Sequence, residues 1–160
     1  MYLSTLDTPI GLLHIRANDS EVYFIGFPEE SAEETGNDIS KQAKIEFQEY
    51  FSGKRHGFDF PMRQEGTIFR QSVWDELLRI KPGSPITYAA LAKRMNNPLA
   101  ILAIASANGK NNLMIAVPCH RVIGSNGELV GFAGGLWRKK WLLAHETEMM
   151  GMGQASLLIS

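Results

Sequence analysis

Cysteine is nearly absent from this chain, since Cys119 is the only one among 160 residues. A single cysteine excludes an internal disulfide, and a thiol that has to stay free suits a reducing compartment. The sequence has no run of about 18 apolar residues, and its N-terminus has no basic region followed by an apolar core. We therefore expect a cytoplasmic protein with neither a membrane span nor a signal peptide.

Metal-binding patterns are absent from the sequence as well. The four histidines and the one cysteine show no spacing typical of metal ligands, so no metal site is predicted. The histidines are His14, His56, His120 and His145.

Acidic residues are missing from one long stretch. Residues 82–127 contain no Asp or Glu but carry Lys93, Arg94, Lys110 and Arg121, whereas residues 1–66 hold 12 acidic and 6 basic residues. A polyanion such as a nucleic acid would bind the first of these regions and avoid the second. The alternative is that these scattered cations only solvate helix faces, and the charge pattern alone leaves both interpretations open.

Residues 1–64 have the pattern of a small N-terminal α/β domain with a short antiparallel sheet. Apolar and polar residues alternate between turn signals, which predicts strands at 2–6, 12–16 and 22–27. Apolar residues then recur at helical spacing over 39–51, and residues 58–60 are predicted as an edge strand.

Residues 65–160 have the pattern of a mainly helical C-terminal domain, so the predicted fold class is α+β. Thr67 caps a helix whose apolar stripe is predicted to pack in the core, and two short helices at 87–95 and 97–107 predict a winged-helix-like helix-turn-helix. A glycine-rich bend at 131–136 precedes a final helix at 137–146. The stripe comprises Ile68, Phe69, Val73, Trp74, Leu77 and Leu78.

The strongest chemical signal is the segment 117–122, which reads VPCHRV. The thiolate is the reactive form of cysteine, and a neighbouring base or cation raises its fraction near neutral pH. Cys119 is therefore the first candidate nucleophile, with His120 beside it. Taken alone, a lone cysteine is more commonly a buried residue that packs as a small apolar side chain.

The chain resembles the O6-alkylguanine-DNA alkyltransferases over residues 67–146. The match is tightest at 118–122 (PCHRV), 134–136 (GGL) and 141–146 (WLLAHE). The resemblance implies direct-reversal DNA repair, in which the alkyl group of O6-alkylguanine, and also of O4-alkylthymine, in a flipped-out base moves to Cys119 in a single turnover. It implies double-stranded DNA containing O6-alkylguanine as partner, no cofactor, and a monomer.

The resemblance also implies a catalytic set. Cys119 would attack the alkyl carbon, His120 would take the thiol proton, Glu146 would orient the imidazole, and Asn111 would brace the turn at the site. From the residues alone, Glu146 is as easily a solvent-exposed residue at the end of a helix.

Two further groups of residues follow from the resemblance. The substrate pocket would comprise Tyr88, Met114, Val122, Phe132, Ala133 and Gly134. The DNA contacts would come from Leu102, Tyr88, Lys93, Arg94, Ala103 and Lys110. From sequence alone, Tyr88 is equally compatible with a core aromatic at the start of its helix.

The chain departs from the family pattern at three positions. Leu102 stands where the family has an arginine that replaces the flipped base in the stack, and an apolar wedge can also fill that space. Phe132 and Ala133 replace two hydroxyl-bearing residues, which removes possible hydrogen-bond donors to guanine O6.

Two hypotheses of other classes remain. One is a non-catalytic damage-binding module like the alkyltransferase-like proteins, which flip alkylated bases but have no such cysteine. The other is a helix-turn-helix transcription regulator in which Cys119 is structural.

Overall fold

The structure is a computed structural model that describes residues 1–151. The chain forms two compact units, Met1–Glu65 with Asn112–Ala116 and Gly66–Asn111 with Val117–Ser160. Residues 152–160, which belong to the predicted domain 65–160, lie outside the described residues. No helix within the described part of the chain is long and apolar enough to cross a membrane.

The first unit is built on a three-stranded antiparallel sheet in the order β1 (Tyr2–Thr8), β2 (Gly11–Ala17) and β3 (Val22–Gly26). Apolar residues alternate along β2, so that Leu13, Ile15 and Ala17 point to one face and are fully buried. The three predicted strands are present, and β1 and β2 extend one or two residues beyond their predicted ends.

Helix α1 (Asp38–Phe51) packs against this sheet. It begins at a capping box in which the Asn37 side chain accepts from the Ser40 N–H and Ser40 Oγ accepts from the Asn37 N–H. The predicted edge strand at 58–60 was wrong. Phe58 packs its ring 4.6 Å from that of Phe47 instead, because the phenyl groups of this segment fill an aromatic cluster rather than a ladder.

A segment from the second half of the sequence completes the first unit. The Ile25 N–H donates to Asn112 O (2.8 Å), and the Met114 N–H donates to Ile25 O (3.2 Å), so that residues 112–116 run beside β3. The Asn112 N–H also donates to Gln64 Oε1 (2.8 Å). The sequence-based boundaries of 1–64 and 65–160 assigned this segment to the other domain.

The second unit begins with α2 (Ile68–Leu77), which the Thr67 side chain caps by accepting from the Arg70 N–H. Trp74 Nε1 donates to Ala107 O (2.9 Å) and so joins α2 to α4. The predicted apolar stripe was partly wrong: Ile68 is 91% exposed and Leu78 is 50% exposed, because these apolar positions spread over more of the helix circumference than one core face can bury.

The predicted pair of short helices consists of α3 (Tyr88–Arg94) and α4 (Ile101–Gly109). Asn96 has a φ of 55° and ends α3 in a left-handed turn, where the Asn97 N–H donates to Ala92 O. The second helix was predicted to begin at Asn97. It begins at Ile101 because residues 97–100 form a turn closed by the Ala100 N–H and Asn97 O.

Two short strands and one long helix complete the second unit. Strand β4 (Ile86–Thr87) pairs in parallel with β5 (Val122–Ile123), and α5 (Leu136–Met149) follows a bend at Gly135, whose φ is 92°. The α+β prediction, with a small sheet-containing N-terminal domain and a helical C-terminal domain, is confirmed.

Candidate active site

Cys119 begins a 3-10 turn, Cys119–Arg121, immediately after Pro118. Its N–H donates to Val117 O (2.8 Å), and its side chain is buried. Burial raises the pKa of the Cys119 thiol, while a hydrogen bond from Asn111 and the charge of Lys139 act in the opposite direction. The resting thiol is therefore protonated, and a reaction through sulfur requires a base.

His120 and Glu146 form a buried pair. His120 Nε2 lies 2.8 Å from Glu146 Oε2, and neither side chain is exposed to solvent. The second ring nitrogen, Nδ1, is buried and has no hydrogen-bond partner among the described residues. Burial lowers the pKa of His120, and the charge of Glu146 partly offsets that effect. His120 is thus a neutral imidazole with one committed nitrogen and one free nitrogen.

Arg121 holds the same carboxylate from the other side. Its Nε donates to Glu146 Oε1 (2.8 Å), its Nη2 donates to Glu146 Oε2 (2.9 Å), and its Nη1 donates to Ile80 O (2.7 Å). Burial alone would raise the pKa of Glu146, but His120 and Arg121 outweigh it and hold the pKa well below its ordinary value. Glu146 is ionised and acts only as an acceptor. It is a buried residue of α5 rather than a solvated helix end.

Two asparagines form hydrogen bonds with Cys119. Asn111 Nδ2 donates to Val117 O (2.7 Å), and the same side chain hydrogen-bonds the Cys119 thiol. Asn108 Nδ2 donates to Tyr88 Oη (3.1 Å) and to Cys119 O (3.2 Å). The structure thus brings together Tyr88 and Asn111, which were predicted from the sequence, and Asn108, which was not.

Lys139 is a second residue that the sequence analysis missed. Its side chain is buried on α5, and its Nζ donates to Val130 O (2.9 Å). Burial lowers the pKa of Lys139, and interaction with Cys119 acts in the opposite direction. Lys139 stands seven residues before Glu146, which is two helical turns, so the two side chains share a face. This seven-residue spacing could have indicated that Lys139 faces the site, but Lys139 lies within a run of three basic residues at 138–140.

The glycine-rich bend that precedes α5 is tied to that helix. Arg138 Nη1 donates to Gly134 O (2.8 Å), and Lys139 holds the Val130 carbonyl. Phe132 is half-buried, Ala133 is exposed and Gly134 is buried. Val122 is fully buried in β5. Met114, the remaining residue of the predicted pocket, lies in the first unit and is buried there.

The predicted DNA-contacting residues lie on the surface of the helix pair. Lys93 and Arg94 are exposed in the last turn of α3, and Lys110 is exposed just after α4. Leu102, which is 87% exposed, and Ala103 lie in the first turn of α4. An exposed leucine at this point is available to a partner.

Family models match both parts of the chain. Residues 1–64 match the ribonuclease-like domain of 6-O-methylguanine DNA methyltransferase, and residues 68–148 match the DNA binding domain of the same proteins. Two curated relatives span most of the chain. A methylated-DNA--protein-cysteine methyltransferase of Methanosarcina acetivorans is 36% identical over 91% of this chain and 98% of its own length. The constitutive one of Bacillus subtilis is 39% identical over 83% of this chain and 87% of its own length.

Solved structures agree with the sequence matches. The O6-methylguanine methyltransferase of Mycobacterium tuberculosis superposes with a TM-score of 0.83 at 35% identity, over 92% of this chain and 93% of the other. Mycobacterium tuberculosis OGT in complex with DNA superposes with a TM-score of 0.84 at 35% identity, over 93% and 94%. This chain belongs to the O6-methylguanine DNA methyltransferase family.

Proposed function

We propose that this protein repairs DNA by direct reversal, moving the alkyl group of O6-alkylguanine, and also of O4-alkylthymine, in a flipped-out base to its own Cys119. The observation that carries the proposal is a buried hydrogen-bond network in which Glu146 orients His120. His120 directly follows the single cysteine, Cys119, in the sequence. Membership of the family supports the same chemistry.

The hydrogen bonds of His120 support one path for the thiol proton. Ionised Glu146 can only accept, so Nε2 of His120 carries a hydrogen and Nδ1 holds the free lone pair. The thiol proton of Cys119 moves to that Nδ1, with a water between them. The sulfur then forms a bond to the alkyl carbon as the bond from that carbon to O6 breaks, and guanine leaves as an anion. The alkyl donor is the lesion, so the reaction balances without a cofactor.

Two groups stabilise the thiolate as it forms. Asn111 hydrogen-bonds the sulfur, and the buried ammonium of Lys139 acts on it electrostatically. A buried cation interacts more strongly with a developing anion than an exposed one does. Because burial disfavours the thiolate at rest, these two groups matter most while negative charge is developing.

The remaining residues contact the flipped nucleobase and the DNA around it. Tyr88 donates to guanine N3, and Val122 and residues 132–134 line the pocket for the alkyl group. Lys93, Arg94 and Lys110 contact phosphates, and Ala103 allows close approach. Leu102 fills the space of the flipped base. We infer that a monomer in the cytoplasm carries out this repair.

The damage-binding alternative is not favoured. A module that only flips alkylated bases does not require a thiol that stands beside a histidine hydrogen-bonded to a carboxylate. Cys119 therefore separates the two hypotheses, and a transcription regulator would have no need for the same network.

Intact-mass analysis tests the proposal. Wild-type protein incubated with duplex DNA containing O6-methylguanine should gain the mass of one methyl group. Cys119→Ser should gain none, since a hydroxyl is a far poorer nucleophile than a thiolate. The variant should bind the duplex as wild type does. A wild-type protein that binds the lesion without gaining mass would support the damage-binding module instead.

A further inference from the structure

Asn108 hydrogen-bonds two groups of the site, the hydroxyl of Tyr88 and the backbone carbonyl of Cys119. Its Nδ2 atom lies 3.1 Å from the hydroxyl of Tyr88 and 3.2 Å from the backbone carbonyl of Cys119. The side chain is buried at the end of α4, and its Oδ1 has no protein partner among the described residues. The two Nδ2 contacts are therefore what hold this amide in place.

The chemistry of the Cys119 carbonyl fixes which way the Asn108 amide points. A carbonyl oxygen can only accept, so the amide atom that faces it must be the NH2 group. The same nitrogen faces Tyr88 Oη, and its two hydrogens serve the two oxygens separately. Tyr88 Oη therefore accepts from Asn108, and the hydroxyl hydrogen of Tyr88 has to point elsewhere.

We propose that Asn108 is a positioning residue that turns the Tyr88 hydroxyl hydrogen away from the protein and toward a ring-nitrogen acceptor of the flipped base. The inference rests on the proposed function, in which that acceptor is N3 of guanine. An accepting bond also polarises the phenol and strengthens it as a donor, because hydrogen bonds in a chain reinforce one another.

The protonation state of Tyr88 agrees with this role. Burial raises the pKa of Tyr88, the Asn108 hydrogen bond partly offsets that effect, and Cys119 raises it further. The phenol thus keeps its proton through the physiological range and can donate it to a hydrogen bond. As guanine leaves, negative charge spreads to its ring nitrogens, and a donor already aimed at one of them stabilises the transition state more than the ground state.

Because Asn108 also donates to the Cys119 carbonyl, the effect of one substitution at Asn108 has two explanations. Removing the amide frees the Tyr88 hydroxyl and also leaves the Cys119 carbonyl without this donor. A loss of activity in one variant therefore fits either cause. The experiment therefore measures whether the loss of activity depends on the Tyr88 hydroxyl and on the ring nitrogen of the substrate.

Asn108→Leu removes both hydrogen bonds and keeps a similar side-chain volume. It should slow the reaction with free O6-benzylguanine by about tenfold, which is within the contribution of a positioned proton donor. Toward the 3-deaza analogue, in which C–H replaces N3, wild type and Asn108→Leu should react at nearly the same rate. In a Tyr88→Phe background, Asn108→Leu should cause little further loss. Asn126→Leu, at an exposed asparagine of the same unit, is the matched control and should react as wild type does.

Asn108→Asp gives a second and opposite perturbation. A carboxylate can only accept, so the Tyr88 hydroxyl would turn toward it and away from the substrate. The loss with O6-benzylguanine should be at least as large as for Asn108→Leu, and again absent with the 3-deaza analogue. If Asn108→Leu does not fold, judged by its thermal unfolding, this variant takes its place in the same comparison.

The outcomes separate the inference from the function on which it rests. Equal losses on the two substrates, or a full loss in the Tyr88→Phe background, would show that Asn108 acts through the Cys119 carbonyl alone and would overturn the inference. A wild-type protein that reacts with neither substrate and leaves methylated duplex DNA unrepaired would overturn the proposed function, and the inference with it.

Discussion

His120 Nε2 lies 2.8 Å from Glu146 Oε2 inside the second unit, although 26 residues separate the two in sequence. The carboxylate also receives two hydrogen bonds from Arg121. This arrangement fixes the tautomer of the imidazole and leaves its Nδ1 as the atom able to accept a proton. The contact therefore gives the proposed base, His120, a defined orientation, which its adjacency to Cys119 in sequence does not.

Glu146→Gln tests that relationship. A glutamine can present its NH2 group to Nε2 and so stabilise the wrong tautomer, which should slow alkyl transfer by roughly a hundredfold at neutral pH. Glu146 raises the pKa of His120 against the effect of burial, so its loss should lower that pKa further. The acid limb of the rate profile should then move to lower pH.

The measurement is the single-turnover rate from acidic to neutral pH. Glu148→Gln, at an exposed position of the same helix, is the control and should leave both rate and profile unchanged. A Glu146→Gln profile identical to that of wild type would show that the carboxylate only supports the fold.

Much of the fold could be predicted from sequence, and its limits have physical causes. The alternation in β2 predicts a strand with one buried face, and Leu13 and Ile15 lie on that face. Alternation cannot show that residues 112–116 return to β3, because that pairing joins segments far apart in the chain. The pattern also does not distinguish Ile68 from Val73, since only packing shows which apolar residue is covered.

The site residues also divide into those that could be predicted from the sequence and those that only the folded structure identifies. Family resemblance pointed to Cys119, His120 and Glu146 together, whereas spacing alone left Glu146 equally compatible with a surface position. Neither source pointed to Asn108, whose contact with Tyr88 spans 20 residues. Lys139 was hidden for a different reason: it stands between two other basic residues, and only its burial in the structure distinguishes it from them.

The salt dependence of DNA binding should reflect three cations. Replacing Lys93, Arg94 and Lys110 with Ala should flatten the dependence of log affinity on log salt by about 2 to 3 units, since each phosphate contact releases close to one counterion. The control replaces Lys54 and Arg63 of the first unit, which should leave the slope unchanged. A triple variant with the wild-type slope would place the DNA on another surface.

Leu102→Arg should accelerate repair in duplex DNA. Extruding a nucleotide costs a few kcal/mol, and an arginine can hydrogen-bond the orphaned base where a leucine cannot. We expect about a tenfold gain on duplex O6-methylguanine, equivalent to roughly 1.4 kcal/mol. The reaction with free O6-benzylguanine should hardly change, because it needs no flipping.

A second leucine supplies the control for that prediction. Leu99 is 96% exposed just before α4, so Leu99→Arg adds the same charge close by. If both variants accelerate duplex repair equally, the gain comes from general attraction to DNA, and Leu102 is not the wedge.

His14 should make the first unit sensitive to acid. Its ring is fully buried, and neither ring nitrogen has a protein partner among the described residues. Burial lowers the pKa of His14, the charge of Arg16 lowers it further, and Glu30 partly offsets both effects. Below the unfolded-state pKa of about 6.5, the unfolded chain takes up a proton that the folded chain resists, so stability falls as pH falls.

His14→Leu should therefore unfold at nearly the same temperature at pH 7 and pH 5, where wild type loses stability. It should also be about 1 kcal/mol more stable at pH 7, because an unpartnered buried polar ring is replaced by an apolar side chain. His56→Leu, at an exposed histidine, is the comparison in thermal unfolding experiments. The same acid loss in His14→Leu as in wild type would assign the effect to another group.

In the proposed reaction, Cys119 is the stoichiometric acceptor of the alkyl group. The most direct measurement titrates wild-type protein with excess duplex carrying isotopically labelled O6-methylguanine, counts methyl groups per chain, and locates the label by peptide mass spectrometry. A thioether has no easy leaving group, so transfer should stop at one methyl per chain, carried by the peptide containing Cys119. Multiple turnover, or a label on any other residue, would contradict it.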